Sequence, residues 1–251
     1  MKKLLPVIFA LCANYAHAQV FSQNFNPSSK KRTYVGGGTN QFDWITDFKN
    51  SKSTIESESG NNFLRFDKIG ASSILLSKST PLNGNANNLA YVQFKFRVSA
   101  PAIAETPVNQ LATFYLGNGD TDTFEPNNTA GITNDHLFAA IGLRVTKDDN
   151  GAYKFYISPV TQNTYSGWQN VTWAANRTGK TITFLAPDGK NYTLADNKQA
   201  IWVGDILQIG SGSLNGAQTT FSKFKLRFAA DYPNLKIDLD DLTISSSVPT
   251  K

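Results

Sequence analysis

The sequence predicts an all-β protein built as a sandwich of two antiparallel sheets. Three observations predict it: apolar and polar side chains alternate over short runs, turn-forming residues separate these runs, and no helix longer than a turn or two is indicated. Many short strands with turns between them are typical of a sandwich or a barrel.

Three runs show the alternation most clearly, at residues 91–98, 137–145 and 221–228. In the first, valine and phenylalanine occupy the even positions, whereas Gln93, Lys95 and Arg97 occupy odd ones. One apolar and one polar face is the pattern of an antiparallel strand that covers a core and meets water on its other side.

Turn chemistry and one phase slip define how the runs connect. Residues 148–151 (Asp-Asp-Asn-Gly) and 187–190 (Pro-Asp-Gly-Lys) lie between strand candidates and predict two hairpins. Near the C-terminus the apolar parity changes at Asp240 and Asp241. A β-bulge there would return both halves of that strand to the core face.

The first eighteen residues resemble an export signal. Lys2 and Lys3 precede an apolar stretch at residues 4–13, and Ala-His-Ala at 16–18 is a small-x-small cleavage site. We therefore expect a secreted or periplasmic chain with one sandwich domain at 19–245 and a short polar tail at 246–251. Cys12 lies inside the signal, so no disulfide is expected, and no later stretch is apolar enough to span a membrane.

The formal net charge of +5 falls by two when Lys2 and Lys3 are removed. So small an excess does not favour nucleic acid as a partner, but it is compatible with an anionic polysaccharide.

Seven segments together resemble a secreted β-sandwich domain of Bacteroidetes-type bacteria. They span nearly the whole mature chain, at residues 20–26, 41–42, 62–66, 171–176, 186–189, 202–204 and 237–244. The resemblance implies a concanavalin-like jelly-roll sandwich, similar to carbohydrate-binding modules. It implies no defined activity.

Carbohydrate-binding jelly rolls often tie their first and last strands together with a structural Ca²⁺. The resemblance implies Asn26 and Asp240 as its ligands, and oxygen ligands suit this ion. The alternative is that Asp240 and Asp241 cap the bulge through backbone amides. The acidic loop at 118–125 lacks the Gly and Glu of an EF-hand and is interpreted as a solvated turn.

Aromatic side chains are the first candidates for ligand contacts, because sugar rings stack on exposed Trp and Tyr. Tyr165 and Trp168 flank a glycine in a polar context that suits an exposed loop, whereas Trp173 is predicted to be core. Trp202 has the opposite parity to its apolar neighbours, which predicts a solvent-facing ring. For any single tryptophan, packing in the core is the competing interpretation.

Basic side chains are the second candidates. Lys95 and Arg97 face away from the apolar side of their run, as do Lys223, Lys225 and Arg227 of another. If the two strands are neighbours, these five residues form one cationic face for carboxylates or sulfates of a glycan. The alternative is two ordinary solvated strand faces.

Catalytic motifs are sparse. His136 is the one histidine after the signal, and a lyase-type site could combine it with Tyr153 and Arg144. The sequence therefore favours a non-catalytic binding protein for a polysaccharide. A structural or adhesive surface protein is the alternative, and a polysaccharide lyase or glycoside hydrolase is the second.

Overall fold

Two antiparallel sheets packed face to face make up most of the computed structural model, which describes residues 19–47, 51–68, 74–83, 87–99, 112–125, 131–160, 163–228 and 235–249. The predicted export signal lies outside the described residues. In the part of the chain that is described, no helix is long and apolar enough to cross a membrane.

The first sheet contains eight strands. They are β1 (Gln19–Gln23), β3 (Lys52–Glu58), β4 (Asn61–Lys68), β6 (Leu89–Ser99), β10 (Gln169–Asn176), β13 (Lys198–Val203), β14 (Ile206–Ser213) and β16 (Leu235–Ser245). Their spatial order is β14-β13-β10-β6-β16-β4-β3, and β1 pairs with β16 beside this path.

The second sheet contains six strands in the order β2-β5-β15-β7-β8-β9. Their bounds are β2 (Trp44–Thr46), β5 (Ile74–Lys78), β7 (Ala112–Gly117), β8 (Leu137–Lys147), β9 (Tyr153–Ser158) and β15 (Lys223–Phe228). A separate hairpin pairs β11 (Ile182–Leu185) with β12 (Asn191–Leu194). Helical turns occur at α1 (Thr121–Phe124), Lys31–Tyr34 and Asn134–His136.

The predicted strands and turns are confirmed. The alternating runs lie on β6, β8 and β15, and the two turn sequences join β8 to β9 and β11 to β12. The apolar parity of these runs faces the space between the sheets, except at Leu137, which packs with Phe124 of α1 on the outer side of the second sheet.

Aromatic rings fill that space and connect the sheets. Phe94 of the first sheet stacks on Phe114 of the second at 5.7 Å between centroids, and Phe114 stacks on Phe224 at 5.8 Å. Trp173 is fully buried in the same cluster, as the sequence predicts. Such rings carry a large share of the burial free energy of a core without disulfides.

β16 lies in the interior of the first sheet and has an irregularity at its middle. Along one side it pairs with β6 over most of its length, and the register shifts between Asp240 and Thr243. On its other side, β4 pairs with residues 235–239 and β1 with residues 242–245. The predicted bulge is thus confirmed, and Asp241 adopts a left-handed φ of 47° there.

Each sheet also has an outer face that is partly covered. The β11–β12 hairpin packs on the outer face of the first sheet near β13, where Val248 also packs. On the second sheet, α1 and the segments around it cover part of β15 and β7. These covers decide which outward-facing side chains meet solvent.

A polar cleft as candidate functional site

A cleft of about 660 Å³ opens on the uncovered part of the first sheet's outer face. Strands β6, β10 and β16 form its floor, and β1, the β11–β12 turn and the β13–β14 turn form its walls. Its lining residues are Ser22, Asn24, Gln93, Phe94, Lys95, Asn170, Val171, Thr172, Pro187, Gly204, Asp205, Asp241 and Thr243. A concave site with convergent polar groups is where a small ligand is expected to bind.

Strand register arranges part of this lining in a row. Ser22 is paired with Thr243, Thr243 with Gln93, and Gln93 with Thr172, on the successive strands β1, β16, β6 and β10. Neighbouring strands lie about 4.8 Å apart, so the row extends for roughly 14 Å across the sheet. Ser22, Gln93 and Thr243 offer hydroxyl and amide groups to the cleft, which donate and accept hydrogen bonds in the way that sugar hydroxyls require, whereas Thr172 at the end of the row is only 3% exposed.

Within this row the contact between Gln93 and Thr172 is long, whereas the charged contact between Lys95 and Asp241 beside the row is short. Gln93 Nε2 lies 3.5 Å from Thr172 Oγ1. Lys95 Nζ lies 2.7 Å from Asp241 Oδ2, and both side chains are about 40% exposed, at 42% and 41%. The hydrogen bond with Asp241 raises the pKa of Lys95, so this amine stays protonated at neutral pH.

Trp168 lies beside Arg97, just before β10, and is not among the described residues that line the cleft. The Arg97 guanidinium stacks over the Trp168 ring at 4.5 Å, and Phe63 meets the ring edge-on at 5.2 Å. Trp168 Nε1 donates to Glu58 Oε2 at 3.2 Å, which, together with Arg97, lowers the pKa of Glu58. The ring is therefore half-buried and held in place rather than free on a loop.

A buried carboxylate holds Arg97 in position. Asp238 is fully buried and accepts from Arg65 Nε at 2.7 Å and from Arg97 Nε at 2.8 Å. Removing one partner of such a buried ionic group leaves an uncompensated charge and lowers the free energy of unfolding by about 3–5 kcal/mol. Both arginines thus serve the fold, and their charge is matched by Asp238 and Glu58.

The predicted single cationic face is wrong. Lys95 and Arg97 lie on the first sheet, whereas Lys223, Lys225 and Arg227 lie on the second and face the opposite side of the sandwich. Lys223 and Lys225 are also buried, because segments around α1 cover them. Lys223 Nζ donates to the Gly119 carbonyl and Lys225 Nζ to the Thr123 carbonyl; Arg227 is half-buried.

The predicted exposure of Trp202 is also wrong. Its ring does point away from the core between the sheets, but it is 1% exposed because the β11–β12 hairpin covers it. Tyr192 meets it edge-on at 4.9 Å and Phe184 at 5.9 Å. Trp202 is therefore the centre of a second small core and is not available to a ligand.

Tyr165 lies apart from Trp168. Its backbone pairs with Phe155 of β9, and its ring packs against the main core. Its hydroxyl accepts a hydrogen bond from Gln208 Nε2 at 2.6 Å. The structure therefore does not bring the two predicted aromatic contacts together in one surface.

Asn26 and Asp240, the two calcium ligands that the resemblance implies, lie close together at the bulge of β16. There the strand that pairs with β16 changes from β4 to β1. Asn61 Nδ2 donates to Asp240 Oδ2 at 2.7 Å, and Asn26 Nδ2 donates to Asn61 Oδ1 at 3.1 Å. Asn26 Oδ1 accepts from the Asn62 backbone at 2.8 Å, and Asp240 Oδ1 accepts from the Asp241 backbone at 2.8 Å. Burial raises the pKa of Asp240.

In this arrangement each of these side-chain oxygens accepts a hydrogen bond from an amide group, so a Ca²⁺ ion bound here would have to replace these donors, and structural calcium at Asn26 and Asp240 stays a prediction. Within the described ranges, no group of three or more His, Cys, Asp or Glu side chains could hold a metal. The connection between the first and last strands is instead a chain of amide hydrogen bonds, in agreement with the alternative that Asp240 caps the bulge.

The lyase-type combination of His136, Tyr153 and Arg144 is not assembled. His136 ends the helical turn before β8, and Arg144 lies eight residues further along. An extended strand of that length spans about 26 Å, which is too far for one catalytic site.

The sequence patterns did not identify the polar residues that form the floor of the cleft. Asn170, Thr172 and Thr243 are ordinary outward-facing strand residues, and Gln93 was noted only as a neighbour of the basic residues. Their parity shows that they face outward. Only the register between distant strands shows that they form one row.

No protein-family model matches the chain, and no match was found among curated proteins. Among solved structures, the potassium-bound carbohydrate recognition domain of Emp46p has a TM-score of 0.52 and 9% identity, covering 92% of this chain and 97% of that one. The alginate lyase Aly36B in complex with alginate trisaccharide has a TM-score of 0.46 and 12% identity, covering 92% and 99%.

Lectin I-B4 from Griffonia simplicifolia has a TM-score of 0.37 and 15% identity, covering 78% and 91%. At such low identities these similarities concern the fold alone. Together with the two large antiparallel sheets, the likeness to the Emp46p domain confirms the predicted concanavalin-like jelly-roll sandwich.

Proposed function

We propose that this chain is an exported, non-catalytic protein that binds a glycan in the polar cleft of the first sheet. The observation that carries the proposal is the row of Ser22, Thr243, Gln93 and Thr172, which strand pairing presents to the cleft. The Emp46p domain, which has a similar fold, is named a carbohydrate recognition domain, and this agrees with the proposal.

The charged groups of the cleft support binding rather than catalysis. A general base must lose its proton near the working pH, whereas the contact with Asp241 raises the pKa of Lys95. Lys95 and Asp241 are also joined to each other at 2.7 Å, so neither is poised alone toward a substrate.

An adhesive or protein-binding role finds less support on the surface. Among the described residues, the large exposed hydrophobic side chains are Trp44, Ile206 and Leu207. Trp44 lies on β2 of one sheet and the other two lie on β14 of the other. Scattered apolar residues of this kind are normal on monomeric proteins and do not form an interface core.

The test is a glycan microarray with neutral and acidic polysaccharides, followed by titration of the best ligand with variants. Gln93→Ala should weaken binding about fivefold, the effect of losing one net hydrogen bond of about 1 kcal/mol. Thr54→Ala is the control, because Thr54 is exposed on β3, outside the cleft lining. No binding to any glycan, or equal affinity of the Gln93 variant and the native protein, would refute the proposal.

A further inference from the structure

The charge of the cleft, not its shape, indicates which class of glycan it accepts. Among the described residues that line it, the ionisable side chains are Lys95, Asp205 and Asp241. This lining therefore holds one ammonium group and two carboxylates, and the ammonium is already hydrogen-bonded to one of them, that of Asp241. The buried Asp240 lies next to this pair and adds to the negative potential at Lys95.

The nearby arginines do not change this balance. Arg97 is shared between Asp238 and Glu58, and its remaining face is covered by the Trp168 ring. Arg65 is bound to Asp238 through two of its nitrogen atoms, at 2.7 and 2.9 Å. No guanidinium of this cluster lines the cleft, so a uronate or sulfate would find no bidentate partner there.

We infer that the ligand is an uncharged polysaccharide chain that lies across strands β1, β16, β6 and β10, an inference that rests on the proposed glycan-binding function. Its hydroxyl groups donate to the carboxylates of Asp205 and Asp241 and exchange hydrogen bonds with the amide and hydroxyl groups of the row. A uronate chain places its carboxylates against those of the cleft, and like charges at hydrogen-bond range repel.

Affinity electrophoresis compares these ligands under one set of conditions. Native gels contain either a neutral polymer (hydroxyethyl cellulose, glucomannan or arabinoxylan) or an anionic one (alginate or polygalacturonate). We expect the neutral polymers to bind at least about fivefold more tightly, the factor that one like-charge contact at 4 Å produces in water.

Reversing the net charge of the cleft lining is a second test of the inference. The double variant Asp205→Asn, Asp241→Asn removes both carboxylates and leaves Lys95 as the one charge among the described residues of the lining. Asparagine tolerates the left-handed backbone at position 241, where φ is 47°. This variant should gain salt-sensitive retardation in alginate or polygalacturonate, whereas Asp149→Asn, in the β8–β9 turn, should behave like the native protein.

The outcomes separate the two proposals. Stronger retardation of the native protein by an anionic polymer than by every neutral one would overturn the uncharged-ligand inference and leave glycan binding intact. A double variant that gains no anionic retardation would also count against it. Absence of retardation in every gel would refute glycan binding itself, and the inference with it.

Discussion

Lys225 offers a quantitative test of the way in which α1 covers the second sheet. The side chain is fully buried, and its ammonium group donates to the Thr123 carbonyl at 3.2 Å. Burial, with a smaller contribution from Arg227, lowers its pKa from 10.5 to about 8. Lys225→Met keeps a flexible apolar side chain of similar length and removes the charge.

The direction in which the stability changes with pH follows from the number of protons bound to the folded and unfolded states. Below pH 8 the amine is charged in the folded and unfolded states, so the native state bears the full cost of burying it. Between about pH 8 and 10.5 the unfolded state binds more protons, and stability therefore rises with pH. A shift of this size corresponds to about 3 kcal/mol, at roughly 1.4 kcal/mol for each pKa unit.

Urea unfolding followed by tryptophan fluorescence measures this effect at a series of pH values. The free energy of unfolding of the native protein should rise by about 3 kcal/mol relative to Lys225→Met across this range. The variant also loses the hydrogen bond to Thr123. We treat this loss as independent of pH, so it does not affect a comparison of the slopes of unfolding free energy against pH. Lys190→Met is the control, because this lysine is 83% exposed. Parallel pH profiles for native protein and Lys225→Met would show that the amine is not buried as described.

Two further predictions concern the hairpin and the bulge. Trp202→Ala should lower the free energy of unfolding by about 3–5 kcal/mol, because the ring fills the small core beneath the β11–β12 hairpin, whereas Trp44→Ala, at a site 40% exposed, should cost less than about 1 kcal/mol. Equal losses in urea unfolding would contradict the burial of Trp202. Millimolar CaCl₂ or EDTA should leave the melting temperature unchanged, because Asn61 already bridges Asn26 to Asp240. A calcium-dependent rise of several degrees would show that the ion displaces this amide.

Local sequence information predicted the strands, both hairpins and the bulge, because each depends on side-chain parity or turn chemistry over a few residues. Parity also assigned the Trp202 and Lys225 side chains correctly to the outer faces of their sheets. It could not show that a hairpin and α1 cover those faces, since these covers come from segments elsewhere in the chain. Outward-facing and solvent-exposed are different properties wherever a sheet carries a third layer.

The same limit applies to the candidate site. The basic residues of β6 and β15 were predicted to share a face only if the strands were neighbours, and the structure places them in different sheets. The polar row depends on the register of β1 with β16 and of β6 with β10, which no local pattern encodes. Trp168 was identified as a ring of interest, but its partners Glu58, Phe63 and Arg97 belong to three other segments.

The interior position of β16 has a consequence for how the chain folds. The ion pair between Arg65 and Asp238 joins residues 173 positions apart, and the Asn61–Asp240 hydrogen bond joins residues 179 apart. Contacts of such high sequence separation make folding slow, because loop-closure entropy is lost before they form. Until the last strand inserts, β6 and β4 present open hydrogen-bonding edges, which makes the incomplete sheet the species most prone to aggregate.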